Sequence, residues 1–282
     1  MRYYKLTHED VLDLLPVRMN KSHKGNYGKV MLICGSRCYT GAPTLAALGA
    51  LRTGCGLVYL HVPNSIHTIT ASKVLEPIVV PLPDADGHIS IDAIPKIADS
   101  LQSMDAVLIG PGLGNSMDAE QVVKYVLSNF RGPVVLDADG INVMYKHKDI
   151  LRGRGFPTVI TPHEGEFLRF GGSLKEGRLV GAAELATETG SIVALKGFET
   201  VITDGTTHYI NTTGNPGMAV GGSGDVLAGI IASLLGQGLQ PIKAAACGAW
   251  IHGAAGDICA REIGQYGMLP SDILQVLPRL LR

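Results

Sequence analysis

From residue 29 onward, short apolar runs alternate with longer stretches of helical character. Lys29–Cys34, Gly56–Val62, Asp105–Ile109, Pro133–Leu136, Thr158–Thr161 and Ser191–Leu195 are near-continuous apolar runs, the pattern of strands buried on both faces. Ala42–Thr53 is rich in Ala and Leu and suits a helix lying on a sheet. Asp225–Leu235 and Ile242–Glu262 predict two further buried helices. Val201–Thr203 and His208–Asn211 flank Asp204-Gly205, a hairpin turn signal. Strands alternating with helices predict an α/β fold, with a mostly parallel central sheet covered on both faces. No repeat, low-complexity tract or linker interrupts the pattern, so residues 1–282 read as one domain.

Composition supports a large core: 46% of the 282 residues are hydrophobic and only 17% are charged. A net charge of −1 gives no electrostatic footprint for nucleic acid or an anionic membrane surface. No apolar run reaches membrane-spanning length, and the first twenty residues lack the apolar stretch of a signal peptide. The five cysteines are odd in number and form no Cys-x-x-Cys pair. Reduced, mostly buried thiols in a cytoplasmic protein are expected.

The unusual polar and glycine residues cluster just after the apolar runs, where open α/β sheets bind ligands. Gly221–Gly229 reads Gly-Gly-Ser-Gly-Asp-Val-Leu-Ala-Gly and leads into a helix. Glycines let backbone N–H groups approach an anion, and the helix N-terminus adds positive potential. An aspartate there repels a phosphate, but fits if Asp225 acts on a hydroxyl that attacks the phosphate. The plainer reading is a Gly-rich turn with Asp225 satisfying free N–H groups. Gly110-Pro-Gly-Leu-Gly114 is either a ligand-facing backbone or a tight strand-to-helix turn. Asp137 and Asp139 suit either Mg²⁺, directly or through water, or a cap and turn. His163 donates to a ligand or caps a helix, and Glu164 and Glu166 fall in that helix's first turn. Lys196-Gly197 offers a cation and open backbone, or a surface lysine. There is no Walker A sequence, no His-Glu-x-x-His and no Gly-x-Ser-x-Gly elbow.

Taken in order, His23-Lys-Gly-x-x-Gly28, Gly110-Pro-Gly-Leu-Gly114, Asp137-Ala-Asp-Gly140, Thr161-Pro-His-Glu-Gly-Glu166, Leu195-Lys-Gly197 and Gly214-Asn-Pro-Gly-Met-Ala-x-Gly-Gly-Ser-Gly-Asp-Val-Leu227 are specific. The set closely resembles the ADP/ATP-dependent NAD(P)H-hydrate dehydratases over nearly the whole chain. The resemblance implies a ribokinase-like, three-layer α/β/α fold. It implies dehydration of (6S)-NADHX and (6S)-NADPHX to NADH and NADPH, by phosphoryl transfer to the C6 hydroxyl and loss of phosphate. Asp225 would take or orient the hydroxyl proton, and the N–H groups of Gly222, Ser223 and Gly224 would form the anion hole. Ala42, Gly112, Gly114 and His163 match the substrate site. Lys196, Gly197, Phe198, Glu199, Thr200 and Gly224 match the nucleotide site. Asn215–Met218 would shape the loop ahead of the anion hole. Mg²⁺ would accompany the nucleotide, near Asp137 or Glu166, with no ligand set assigned. Only some 20 residues precede His23, so the epimerase domain fused to many relatives is expected to be missing. The resemblance further implies a homotetramer and, by the form of the chain, ADP rather than ATP. A small-molecule kinase of the hydroxymethylpyrimidine or hydroxyethylthiazole type is the alternative, and a non-catalytic nucleotide-binding protein is the third reading.

Overall fold

The computed structural model describes residues 1–281. Eleven strands run β1 (Lys29–Ile33), β2 (Leu57–Pro63), β3 (Ile78–Leu82), β4 (Asp84–Ala85), β5 (His88–Ile89), β6 (Ala106–Ile109), β7 (Val134–Leu136), β8 (Thr158–Ile160), β9 (Ile192–Leu195), β10 (Val201–Thr203) and β11 (His208–Ile210). The helices that matter below start with α1 (His8–Leu14), α2 (Ala42–Arg52), α3 (Asn64–Ala71), α4 (Ile94–Leu101) and α5 (Met117–Asn129). They continue with α6 (Asp139–Val143), α7 (Lys148–Gly153), α8 (Glu164–Arg169), α9 (Arg178–Thr189), α10 (Ser223–Gly236), α11 (Pro241–Glu262) and α12 (Pro270–Leu280).

Nine strands form one sheet in the order β11-β10-β9-β8-β7-β6-β1-β2-β3. Pairing is parallel from β3 through to β9, and β10 and β11 add an antiparallel hairpin at one end. In β1, Val30 and Leu32 face one core while Met31 and Ile33 face the other. The first core is closed by α2, α10, α11 and α12, the second by α4, α5, α8 and α9. Burial on both faces explains why the strands read as continuous apolar runs. Parallel pairing also puts the carboxyl ends of β1, β6, β7, β8 and β9 on one rim.

β3 escapes the sequence pattern because Pro81 reads as a break. The strand lies at the sheet edge, where a missing N–H is tolerated. The Asp204-Gly205 turn forms as expected, with Gly205 at φ +94° and Asp204 Oδ1 accepting from the N–H groups of Thr206 and Thr207. All five cysteines are free, and only Cys38 is exposed.

Two glycines set the depth at which α10 sits. A Cβ on Gly49 of α2 would stand 2.7 Å from the Val226 carbonyl oxygen, and one on Gly229 would overlap the Ala46 carbonyl. The two helix backbones therefore touch, which no larger residue permits. This contact fixes the first two turns of α10 against the middle of α2.

Candidate active site

The first turn of α10 is the centre of the rim. Its N-cap, Gly222, lies at φ +97°, and its hydrogen leaves room for Leu45 Cδ1, 2.5 Å from where a Cβ would stand. The Ser223 N–H donates to the Val220 carbonyl at 3.3 Å. Among the described residues, no acceptor takes the N–H groups of Gly222, Gly224 or Asp225. The set of free donors thus differs from the expected Gly222, Ser223 and Gly224: the turn at Val220 occupies Ser223, and Asp225 replaces it. These donors lie at the positive end of a 14-residue helix. The Ser223 hydroxyl is buried and lies 3.3 Å from Nε2 of His252 on α11. Burial, with Lys196 adding to it, lowers the His252 pKa to about 4, so this ring is neutral at pH 7.

Asp225 is half-buried in the same turn. Burial raises its pKa to about 7, and the carboxylate of Asp137 pushes the same way against Lys196. Lys196, at the end of β9, is no surface lysine: its side chain is 19% exposed and its ammonium donates to Asp137 Oδ1 at 2.9 Å. Glu166 Oε2 lies 3.9 Å away. Burial works against the ammonium, but Asp137, Glu166 and Asp225 outweigh it and raise the Lys196 pKa. A Cβ on Gly224 would sit 3.3 Å from the Lys196 Nζ, so the cation borders the free donors of α10.

Asp137 and Asp139 do not converge. Asp137 is 1% exposed and accepts from Thr161 Oγ1 at 2.6 Å as well as from Lys196. Asp139 turns the other way, accepting from the Gly114 N–H at 2.8 Å and the Asn142 amide at 3.4 Å. The residue between them, Ala138, sits at φ +48° and ψ −118°, a conformation costly for any residue with a Cβ. That turn aims the two acids apart. No group of three or more His, Cys, Asp or Glu side chains forms a metal cage among the described residues. Both protein contacts of Asp137 fall on Oδ1, so Oδ2 has no protein partner among the described residues. This suits a Mg²⁺ carried by nucleotide phosphates and water rather than one held by protein alone.

Ala42, Gly112, Gly114 and His163, the residues expected to hold substrate, follow the carboxyl ends of β1, β6 and β8. Ala42 opens α2, and a Cβ on Gly112 would lie 3.2 Å from the Ala42 Cβ. Gly114 is close by, but Asp139 already takes its N–H, so it offers shape rather than a donor. His163 caps α8: its Nδ1 accepts from the N–H groups of Gly165 and Glu166 at 3.0 and 3.3 Å. Nδ1 is thus an acceptor within the cap, and Nε2, on a half-exposed ring, lies 3.5 Å from Glu166 Oε1. Glu166 completes the capping box by accepting the His163 N–H at 2.8 Å. Glu164 pairs with Arg178.

The expected nucleotide loop follows β9. Gly197 is at φ +145° beneath the Arg178 guanidinium, which also donates to the carbonyls of Leu195 and Lys196. Phe198 is 90% exposed, Glu199 turns at φ +51°, and the Thr200 hydroxyl closes the loop onto the Gly197 carbonyl at 3.0 Å. The loop ahead of α10 is tied to α11 by Asp257, which accepts from the Gly214 N–H and the Asn215 amide. Thr161, Arg178, His252 and Asp257 were not singled out from the sequence. Only Thr161 lay inside a motif; the others are isolated polar residues in helices whose partners are distant in the chain.

The rim combines free helix-terminal donors, a buried ammonium and a carboxyl that titrates near neutrality. That combination suits transfer of a phosphoryl group to a hydroxyl. A family model described as NAD(P)H-hydrate dehydratase matches residues 30–279. The bifunctional NAD(P)H-hydrate repair enzyme Nnr of Moorella thermoacetica is 46% identical over 275 residues, covering 95% of this chain. The chain spans about half the length of the curated relatives it matches, 52% in that case. The ADP/ATP-dependent NAD(P)H-hydrate dehydratase of Bacillus subtilis, co-crystallized with ATP/Mg²⁺, superposes with a TM-score of 0.84 at 31% identity. That match covers 97% of this chain and 96% of the other. The ribokinase of Thermotoga maritima, at 14% identity and a TM-score of 0.54, shares the fold alone. The fold is ribokinase-like, and the chain belongs to the NAD(P)H-hydrate dehydratase family.

Proposed function

We propose that this chain dehydrates (6S)-NADHX and (6S)-NADPHX at the expense of a nucleotide, with ADP as the preferred donor. The observation that carries the reading is Asp225, poised near pH 7 in the same turn as the free N–H groups of Gly222 and Gly224. The nicotinamide end would lie between Ala42, Gly112, Gly114 and His163. The nucleotide would lie along Lys196–Thr200, its terminal phosphoryl group over the first turn of α10.

In the first step the C6 hydroxyl oxygen bonds to the terminal phosphorus and the bond from that phosphorus to the nucleotide breaks. Asp225 accepts the hydroxyl proton, which its near-neutral pKa suits. The N–H groups of Gly222, Gly224 and Asp225, with the Lys196 ammonium beside Gly224, take the charge on the phosphoryl oxygens. In the second step the C6–O bond breaks, phosphate leaves with the electron pair, and loss of the C5 proton restores the ring double bond. A hydroxyl is a poor leaving group and phosphate a good one, which accounts for the nucleotide. Mg²⁺ would neutralise the nucleotide phosphates, and Asp137, whose protein contacts fall on Oδ1, would hold it directly or through water.

Mass analysis of the products tests this reading. Free phosphate and NAD(P)H in equal amounts are expected. A stable phosphorylated product would instead make the chain a small-molecule kinase.

A further inference from the structure

We propose that the cavity between α6 and α8 is the subsite for the phosphate-bearing adenosine half of the dinucleotide, and that Arg169 is the residue that engages its phosphate. The inference rests on the function proposed above and deepens it. The cavity measures about 330 Å³ and is lined by Asn115, Asn142, Tyr145, Glu166 and Arg169 over a floor of Phe170. Its lower size suits part of a dinucleotide rather than all of one. The reactive ring therefore has to lie elsewhere, as the position of Asp225 requires.

Both walls continue the candidate substrate site. Asn115 follows Gly114 directly, and Glu166 accepts the His163 N–H. The nucleotide loop, by contrast, follows β9, on the far side of β8 from this opening. Arg169 is exposed and has no acidic partner among the described residues. Its one side-chain hydrogen bond among the described residues goes to Asn142 Oδ1, at 3.3 Å. Most of its five donors remain for an anion, and guanidinium geometry suits phosphate. The carboxylate in the lining, Glu166, is already held by the His163 N–H and by Lys196. Tyr145 is 48% exposed and offers a ring face to a base, with the Lys146 ammonium 5.1 Å from its centroid. A second cavity, about 370 Å³ and lined by Arg131 and Arg154, lacks this character. There the Arg154 guanidinium is spent on the carbonyls of Leu127, Phe130, Gly132 and Pro157.

Calorimetric titration with NADPH, NADH and reduced nicotinamide mononucleotide tests the proposal without turnover. In Arg169→Gln, NADPH is expected to bind roughly 10- to 100-fold more weakly, the range of a charged hydrogen bond. The mononucleotide, which lacks the adenosine half, is expected to bind both proteins equally. A loss for NADH as large as for NADPH assigns the contact to the diphosphate bridge; a loss for NADPH alone assigns it to the 2′-phosphate. Tyr145→Ala is expected to weaken NADPH but not the mononucleotide, and keeps the test open should Arg169→Gln fold poorly. Unchanged NADPH and NADH affinity in both variants overturns the subsite. So does an equal loss for the mononucleotide, or a raised KM for ADP or ATP in Arg169→Gln. Absence of dehydratase turnover with these binding differences intact would instead overturn the proposed function and leave the subsite standing.

Discussion

At the residue scale, the account turns on Asp225. If it is the base, Asp225→Asn should lower nucleotide-dependent phosphate release by roughly 10²–10⁴-fold while nucleotide still binds. The wild-type kcat/KM should rise with pH through about 7 as the carboxyl ionises. The same shift has a stability consequence. The folded pKa lies above the ordinary aspartate value of 3.8, so ionisation costs the folded state nothing at low pH. The cost grows between pH 4 and 7 and is complete above 7, on the order of 2–4 kcal/mol. Thermal melts of Asp225→Asn should therefore show a larger gain in Tm at pH 8 than at pH 5; an equal or smaller gain at pH 8 would contradict the shift. Ala138 makes a second test. Ala138→Gly removes a strained Cβ and should leave stability unchanged or raise it by about 1 kcal/mol, or roughly 2–4 °C in Tm. Asp225, Lys196 and His163 could be singled out in the sequence because Lys196 and His163 stand in motifs just after an apolar run and Asp225 in a glycine-rich motif just before one. His252 and Arg178 were not, since a single polar residue in a helix looks the same whether it serves a rim or faces water.

At the element scale, the position of α10 depends on its contact with α2. Gly229→Ala would drive a Cβ into the Ala46 carbonyl, and backbone cannot rotate away as a side chain can. We expect a loss of about 1–3 kcal/mol in urea unfolding. Activity should fall more than folding does, because displacement of α10 carries Gly222–Asp225 with it. Wild-type activity at wild-type stability in this variant would show that the seam does not position the site. The buried strands were readable because both their faces meet a core. β3 was not, since Pro81 at a sheet edge mimics a break, and neither was α5, whose charged outer face dilutes its apolar stripe. The glycine seam of α2 and α10 is equally silent, because glycine in a helix signals nothing until the partner backbone is known.

At the scale of the whole molecule, one parallel sheet gathers loops that are distant in sequence onto a single rim. Lys196 and Asp137, 59 residues apart, form its central ion pair. Lys196→Met should leave the buried Asp137 without its counter-charge, at a cost of about 3–5 kcal/mol, and abolish nucleotide-dependent turnover. A Tm within a degree of wild type would place Lys196 outside the structural network. The fold class and the rim were legible as an ordered series of motifs. The direction each side chain takes was not, as the divergence of Asp137 and Asp139 around Ala138 shows. The most direct measurement is absorbance at 340 nm on mixing the protein with NADHX and ADP, ATP or no nucleotide. Recovery of NADH with a nucleotide, matched by phosphate release and absent without it, is the expected result. No recovery with either nucleotide would contradict the account.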